Sequence, residues 1–401
     1  MNASTSNTSK RKRSNGRWIL TSTLLVAILA LFWWPVHPEK FTPVSYSMEP
    51  ATPLPDSCIQ NNRLSDFQEI SVRPYHGPES LVYWNGSIYT GVAEGKLLKV
   101  DDSGLTEFAR FGEPDCDSPA ACGRPLGMRL SEDSRNLVVV DAYLGLFSVS
   151  LANGSVTRIF PVDDSIFPVF FDDFDFLSNG SVVLSEASMK YTLHELAYEI
   201  FEGGPNGRLV IQVLCILSHN LLTVYVYNRL IMVDPSTGRW SELLRDLRFP
   251  NGIQLHSDGQ SILVAETTSM RILRVPINGG QLTLFADGLP GVPDNIRRSE
   301  RGGYWIPVSN LRDGWLSHLL DWLTEWPRLR GVVLKIILKL FNHFELKTNS
   351  AMLLRLDDEG QVVEAWNDPK GLMTNVVEVC EHQGEVFTSS YFLPYIGHIK
   401  R

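Results

Sequence analysis

Four short corners of this chain carry acids or amides, three of them beside proline: Glu79 in "GPES", Asp172 and Asp173 in "FFDDFD", Asn251 in "FPNG", and Asp294 and Asn295 in "VPDN". Brought to one point, these side chains would offer carboxylate and amide oxygens with neither histidine nor cysteine. That donor set suits a hard cation. Ca²⁺ takes ~6–8 oxygens at ~2.3–2.6 Å in irregular geometry, whereas zinc or copper would call for imidazole or thiolate. With no cation present, buried acids so close together would repel and their pKa values would rise. A single corner is explained by the turn preferences of Asp and Asn. Four in register ask for a common purpose, and a bound Ca²⁺ is the expectation.

The elements that would carry these corners read as short strands. Val82–Thr90, Leu137–Val149, Ser181–Ser185 and Ser261–Val275 alternate β-branched or aromatic residues with others, and many are separated by Asn-Gly or Asp-Gly turns. A fifth corner, "GRPLGM" from Gly123, joins the series. Counted from Pro78, Pro125, Asp172, Pro250 and Pro293, the steps are 47, 47, 78 and 43 residues. One sheet of about four strands per period is the pattern of a β-propeller blade. With a sixth unit from about Gly371 and a closing strand near Asp66–Val72, an all-β, six-bladed propeller over 64–401 is expected. A two-sheet sandwich would also have short strands but not the recurring corners. The first strand of each blade would line a central channel, so the corner oxygens would converge near one mouth.

Two intervals break the period. Residues 209–229, "LVIQVLCILSHNLLTVYVYNR", are apolar; without these 21 the sequence rejoins as "GPNGRLIMVDPSTGRW" and the long step falls from 78 to 57. They are expected to be an extra segment, such as a retained intron or splice variant. Residues 311–344 hold apolar positions at helical spacing (Trp315, Leu319, Trp322, Leu323, Trp326, then Val332, Val333, Ile336, Ile337, Leu340), with Lys335 and Lys339 on the other face. A helical hairpin inserted in the fifth blade is expected, either as a lid or as an interfacial membrane element.

The net charge is −9, and the first 17 residues hold five basic residues and no acid, leaving −14 for the rest. A body that acidic argues against a nucleic-acid partner. After this basic tail, 18–36, "WILTSTLLVAILALFWWPV", carries no charge. At ~1.5 Å per residue it matches a ~30 Å hydrocarbon core, and the basic flank keeps the N-terminus cytosolic. A type II signal anchor is expected, ahead of a Pro-rich stalk at 37–63, in the secretory pathway or plasma membrane. A cleaved signal peptide is the competing reading, but Trp33-Trp34-Pro35 is a poor cleavage site. Asn85, Asn153 and Asn179 begin Asn-Gly-Ser glycosylation acceptors. Cys116 and Cys122 flank a short loop and are read as a local disulfide, the alternative being two free thiols.

The motifs "GPES", "CGRPLGM", "DAYLGLF", "RFPNGIQL", "VAETT", "PGVPDNIR", "GGYWI" and "EHQG" together resemble the strictosidine synthase-like family over nearly all of Leu64–Ile399. The resemblance implies an anchored propeller related to the calcium-dependent paraoxonases and gluconolactonases. It implies Glu79, Asp172, Asn251, Asp294 and Asn295 as Ca²⁺ ligands, with Asp173 behind them or on a deeper ion. Weak hydrolysis of aryl esters or lactones follows, with Glu79 and Asp294 assisting beside the metal. True strictosidine synthases carry a glutamate shortly before the "EHDG"-like motif and a histidine two residues earlier, where this chain has Val377 and Asn375. Amine–aldehyde condensation is therefore not expected. The histidine that paraoxonases carry in the second-blade corner is also missing. His76 is a candidate substitute or simply a surface residue, and Arg124 would bind a substrate carboxylate or pair with an acid. The rival expectation is a non-catalytic binding protein braced by the cation. No G-x-S-x-G, H-E-x-x-H or phosphate-cradling loop occurs in the chain.

Overall fold

The computed structural model describes residues 40–58, 61–161, 169–211, 231–233, 240–313, 315–341 and 350–400. The expected anchor at 18–36, its basic tail and most of the 209–229 segment lie outside the described residues. No described helix is long and apolar enough to cross a membrane.

The described chain forms six antiparallel sheets arranged as a β-propeller. Their first strands in chain order are Leu81–Trp84, Pro125–Leu130, Phe170–Phe176, Pro250–Leu255, Gly291–Pro293 and Val376–His382. Gln68–Ser71, from the start of the propeller, pairs with the last strand, Tyr395–Ile399, so both ends of the propeller share one sheet.

Second strands such as Ser87–Val92, Val182–Ser188 and Ser261–Glu266 are buried along their whole length. They are covered on both faces by neighbouring sheets. The fourth strand of the first sheet, Gly104–Arg110, is largely solvent-facing. Each junction between sheets has its own apolar cluster. Met128 and Val139 meet Tyr89 and Leu97 at one junction, while Trp305 and Leu353 meet Val376 and Val386 at another. The core is thus six wedges around an axis rather than one central mass.

Additional helices sit between second and third strands. Leu196–Glu202 lies in the third sheet's excursion, and Trp315–Leu323 and Pro327–Phe341 lie in the fifth's. Phe41, Tyr191, Ala197, Phe201 and Leu334 pack together and tie the start of the described chain to these helices.

The third sheet has an unusual middle lane. Gly207–Ile211 and Ile231–Val233 both pair with Val182–Ser188 on one side and Trp240–Leu247 on the other. Leu184 pairs with Val210, Val183 with Met232 and Val182 with Val233. The strand is therefore interrupted in mid-lane and resumes in step.

Candidate metal centre

The corners reach the axis through irregular strand pairing. In the third sheet the register shifts between Phe171 and Phe174, so Asp172 and Asp173 fall inside the irregularity. The fourth sheet shifts between Pro250 and Ile253, around Asn251 and Gly252, and the sixth shifts between Val376 and Glu378. Such bulges bend a strand and re-aim its side chains. Gly252 is required by close approach: a Cβ there would lie 2.5 Å from the Asp294 carbonyl oxygen and 2.6 Å from the Ile296 nitrogen.

Direct contacts bring four of the five expected ligands into two bridging pairs. Asn295 Nδ2 donates to Glu79 Oε1 at 2.8 Å, and Asn251 Nδ2 donates to Asp294 Oδ1 at 3.2 Å. Serine hydroxyls fix the backbone of the corners. Ser389 Oγ donates to the Glu79 carbonyl at 2.5 Å, and Ser185 Oγ donates to the Asn251 carbonyl at 2.8 Å. The outcome is a set of buried oxygens without a donor: Glu79 Oε2, Asn251 Oδ1 and Asn295 Oδ1. A buried carbonyl or carboxylate oxygen left bare is unfavourable, so three from three sheets fit a hard cation. Among the described residues no cluster of three Asp, Glu, His or Cys side chains forms a metal site by itself. The donor set here is mixed, with amides alternating with carboxylates.

The acids behave as crowded neighbours. Burial pushes Glu79 well above the usual carboxylate range, and the charges of Asp294 and Asp172 push it further. Asp172 is raised well above its ordinary value by burial, with Asp294 and Asp173 adding to it. Burial likewise takes Asp294 up to about 8. Burial comes first in each case, and the neighbouring acids add to it.

Asp173 has a different role. Burial alone would raise its pKa, but the guanidinium groups of Arg129 and Arg297 hold it below the ordinary value. Arg129 Nη1 donates to Oδ1 at 3.1 Å, Arg297 Nη1 to Oδ2 at 2.8 Å, and the Ile253 amide to Oδ2 at 2.9 Å. Arg297 also reaches Glu378 Oε2 at 2.6 Å. Two arginines therefore occupy the position where a deeper ion was an expectation.

Arg124 is buried, donates through Nη1 to the Gly77 carbonyl at 2.8 Å, and lies over the Tyr391 ring at 4.7 Å. It forms no ion pair among the described residues. His76 is an exposed residue whose Nδ1 lies 3.1 Å from Glu94. The Val377 carbonyl accepts from the Asn295 backbone amide at 3.3 Å, and Val377 is buried. Cys116 and Cys122 are bonded, with Cα atoms 5.1 Å apart. Asn85, Asn153 and Asn179 are exposed in turns between strands.

The strictosidine synthase-like N-terminal family matches residues 59–100, and the strictosidine synthase family matches residues 217–280. Adipocyte plasma membrane-associated protein of Salmo salar is 33% identical over 396 residues, covering 94% of this chain and 88% of the relative. The chain belongs to the strictosidine synthase-like family. Solved structures with a similar fold include a gluconolactonase from Xanthomonas campestris, at TM-score 0.52 and 13% identity over 91% of this chain and 98% of that one. The calcium-binding protein regucalcin from Agrobacterium tumefaciens also has TM-score 0.52 and 13% identity, over 83% of this chain and 93% of that one. At that identity these two establish the β-propeller fold alone.

Sequence reading of this strictosidine synthase-like chain missed Arg129, Arg297 and Glu378, which stand around Asp173, and a further buried acid, Asp141. Asp141 Oδ1 accepts from the Tyr143 and Leu144 amides at 2.9 and 3.0 Å, while its buried Oδ2 has no donor. Burial raises its carboxyl to about 6. Only the "DAYLGLF" motif hinted at this residue.

Proposed function

We propose that this chain is a single-pass type II membrane protein whose six-bladed propeller lies in the lumen or outside the cell, binds Ca²⁺, and hydrolyses aryl esters or lactones weakly. The observation that carries the reading is the trio of buried, donor-free oxygens: Glu79 Oε2, Asn251 Oδ1 and Asn295 Oδ1. Together with Asp172 and Asp294 they would hold the ion. When bound, Ca²⁺ supplies polarisation of an ester or lactone carbonyl and stabilisation of developing negative charge. Glu79 keeps the ring's second oxygens in place through Asn295, and its Oε2 can accept a proton. Arg124 places a buried positive charge beside these acids, suited to orienting a substrate carboxylate or carbonyl oxygen. Support for the chemistry comes from the gluconolactonase and calcium-binding relatives in fold, and support for the membrane from the Salmo salar relative, a plasma membrane-associated protein by name. Fold by itself does not specify activity.

A second reading is favoured by Val377 and by the exposed pairing of His76 with Glu94. Neither supplies a proton-transfer group at the centre, so the cation would brace the channel of a non-catalytic binding protein. The test is arylesterase and lactonase turnover of the full chain, with calcium and with chelator, beside Glu79→Gln and Asp294→Asn. Turnover abolished by chelation and by both substitutions supports the enzyme. A calcium-dependent melting temperature without turnover supports the binding role, and no calcium response in either measurement sinks both.

A further inference from the structure

We infer that the helix-bearing end of the propeller lies against the same bilayer that the N-terminal apolar segment enters, with Trp322 and Trp326 seated in the headgroup region. The inference rests on the anchored reading above and adds orientation to it.

The first observation is an unpartnered apolar face. Trp322 is 51% exposed and Trp326 53%, with Leu319 at 37% and Ile336 at 41%. The two indoles lie 5.7 Å apart. Tryptophan, with its apolar ring and polar N–H, is the side chain that favours a membrane–water boundary. The charge around these residues is mixed: Arg328, Lys335 and Lys339 stand on Pro327–Phe341, exposed Glu325 adjoins Trp326, and Asp321 beside Trp322 pairs with Arg312.

The second observation is where the chain leaves the described structure. Lys40 Nζ is 2.9 Å from Glu195 Oε2, and the Val44 amide donates to the Glu202 carbonyl at 3.0 Å. Buried Arg330 ties this stretch to the helices, donating to the Val44 carbonyl at 2.5 Å as well as to those of Phe201 at 2.6 Å, Thr324 at 3.2 Å and Glu202 at 2.7 Å. Between Val36, the last residue of the apolar run, and Lys40 there are four steps, which reach at most about 14 Å at ~3.3–3.6 Å each. A span at 18–36 therefore holds Lys40 within that distance of its end, and Phe41, the next residue, packs in one cluster with Leu334 of the second helix.

Topology supplies the third observation. Strands alternate in direction, so links between second and third strands return to the end where first strands begin. The helices Leu196–Glu202, Trp315–Leu323 and Pro327–Phe341 occupy such links. Asn85 and Asn179 lie between first and second strands, and Asn153 between third and fourth, which places all three at the opposite end. Hydrated glycans would point away from the membrane. The corners carrying Asp172 and Asn251 open first strands, so the oxygen ring is approached from the lipid side. The substrate class that fits this orientation is amphiphilic, partitioning into the bilayer.

The test uses the full chain reconstituted in phosphatidylcholine–phosphatidylserine vesicles, with nitroxide labels at Trp326→Cys, Trp322→Cys and, as reference, Asn85→Cys. The unsubstituted chain's signal is subtracted. Collision with oxygen, compared with a water-soluble nickel chelate, should place the labels at 322 and 326 about 5–10 Å below the headgroup boundary and the label at 85 in water. Labels at 322 and 326 as open to nickel as that at 85 would overturn the inference. So would labels shielded from both reagents, because another segment of the chain would then cover the face. Alkaline carbonate extraction reports separately on the anchor. Release from the vesicles removes the anchored reading, whereas retention with water-exposed labels removes only the orientation.

Discussion

Asn295 Nδ2 and Glu79 Oε1, 216 residues apart in sequence, are 2.8 Å apart across the axis, and the remaining oxygen of each side chain has no donor. This pair defines the centre because it turns two polar groups toward each other and two oxygens away. The loose oxygens are what a cation would satisfy.

Glu79→Gln should reverse the order of stability with calcium. In chelator the variant should melt no lower than the parent, since the buried charge opposed by Asp294 and Asp172 is gone. In calcium the parent should gain what the variant does not, about 2.7 kcal/mol when free calcium is 100-fold above Kd. Thermal melts in both conditions check this, and parallel gains for parent and variant would contradict it.

Arg297→Leu should destabilise the fold by about 3–5 kcal/mol, because Asp173 and Glu378 would lose the guanidinium that both contact. The loss should be similar with calcium and with chelator if this network is independent of the ion. Denaturant midpoints measure it. A loss seen only in chelator would show that the ion and Arg297 share one task.

Deleting 209–229 should leave a folded propeller. The shorter chain carries Leu230 and Ile231 into the lane positions of Leu209 and Val210, opposite Ser185 and Leu184, while Met232 and Val233 keep their pairing with Val183 and Val182. A melting temperature equal to or above that of the full chain is expected. Collapse of the cooperative transition would show that the segment belongs to the fold.

Stability should fall between about pH 4.5 and pH 8 through Glu199. Burial raises its carboxyl to about 8, only partly offset by the Ser188 hydroxyl at 2.6 Å. The unfolded carboxyl titrates near ~4.3, so between the two values the native chain binds the extra proton and stability declines as pH rises, by up to about 1.4 kcal/mol per unit. Glu199→Gln should flatten that slope in denaturant titrations at pH 5, 6.5 and 8. An unchanged slope would assign the dependence elsewhere.

The strands, the corners and the interrupted lane were legible in the amino-acid order, because alternation, turn residues and repeat spacing are local properties. The rejoined "GPNGRLIMV" marked where the third sheet's period is broken, and the shared lane itself came from the pairing. The resemblance already set Asp172 apart from Asp173, but the arginines that meet Asp173 were not legible. The two are neighbours of the same type, and the bulge between Phe171 and Phe174 leaves Asp172 among acids while Asp173 meets arginines 44 and 124 residues away. Which oxygen is left bare, and which charge is already neutralised, depends on side chains from different sheets meeting at the axis. Sequence spacing does not encode those distances, so only the closed ring of sheets decides them.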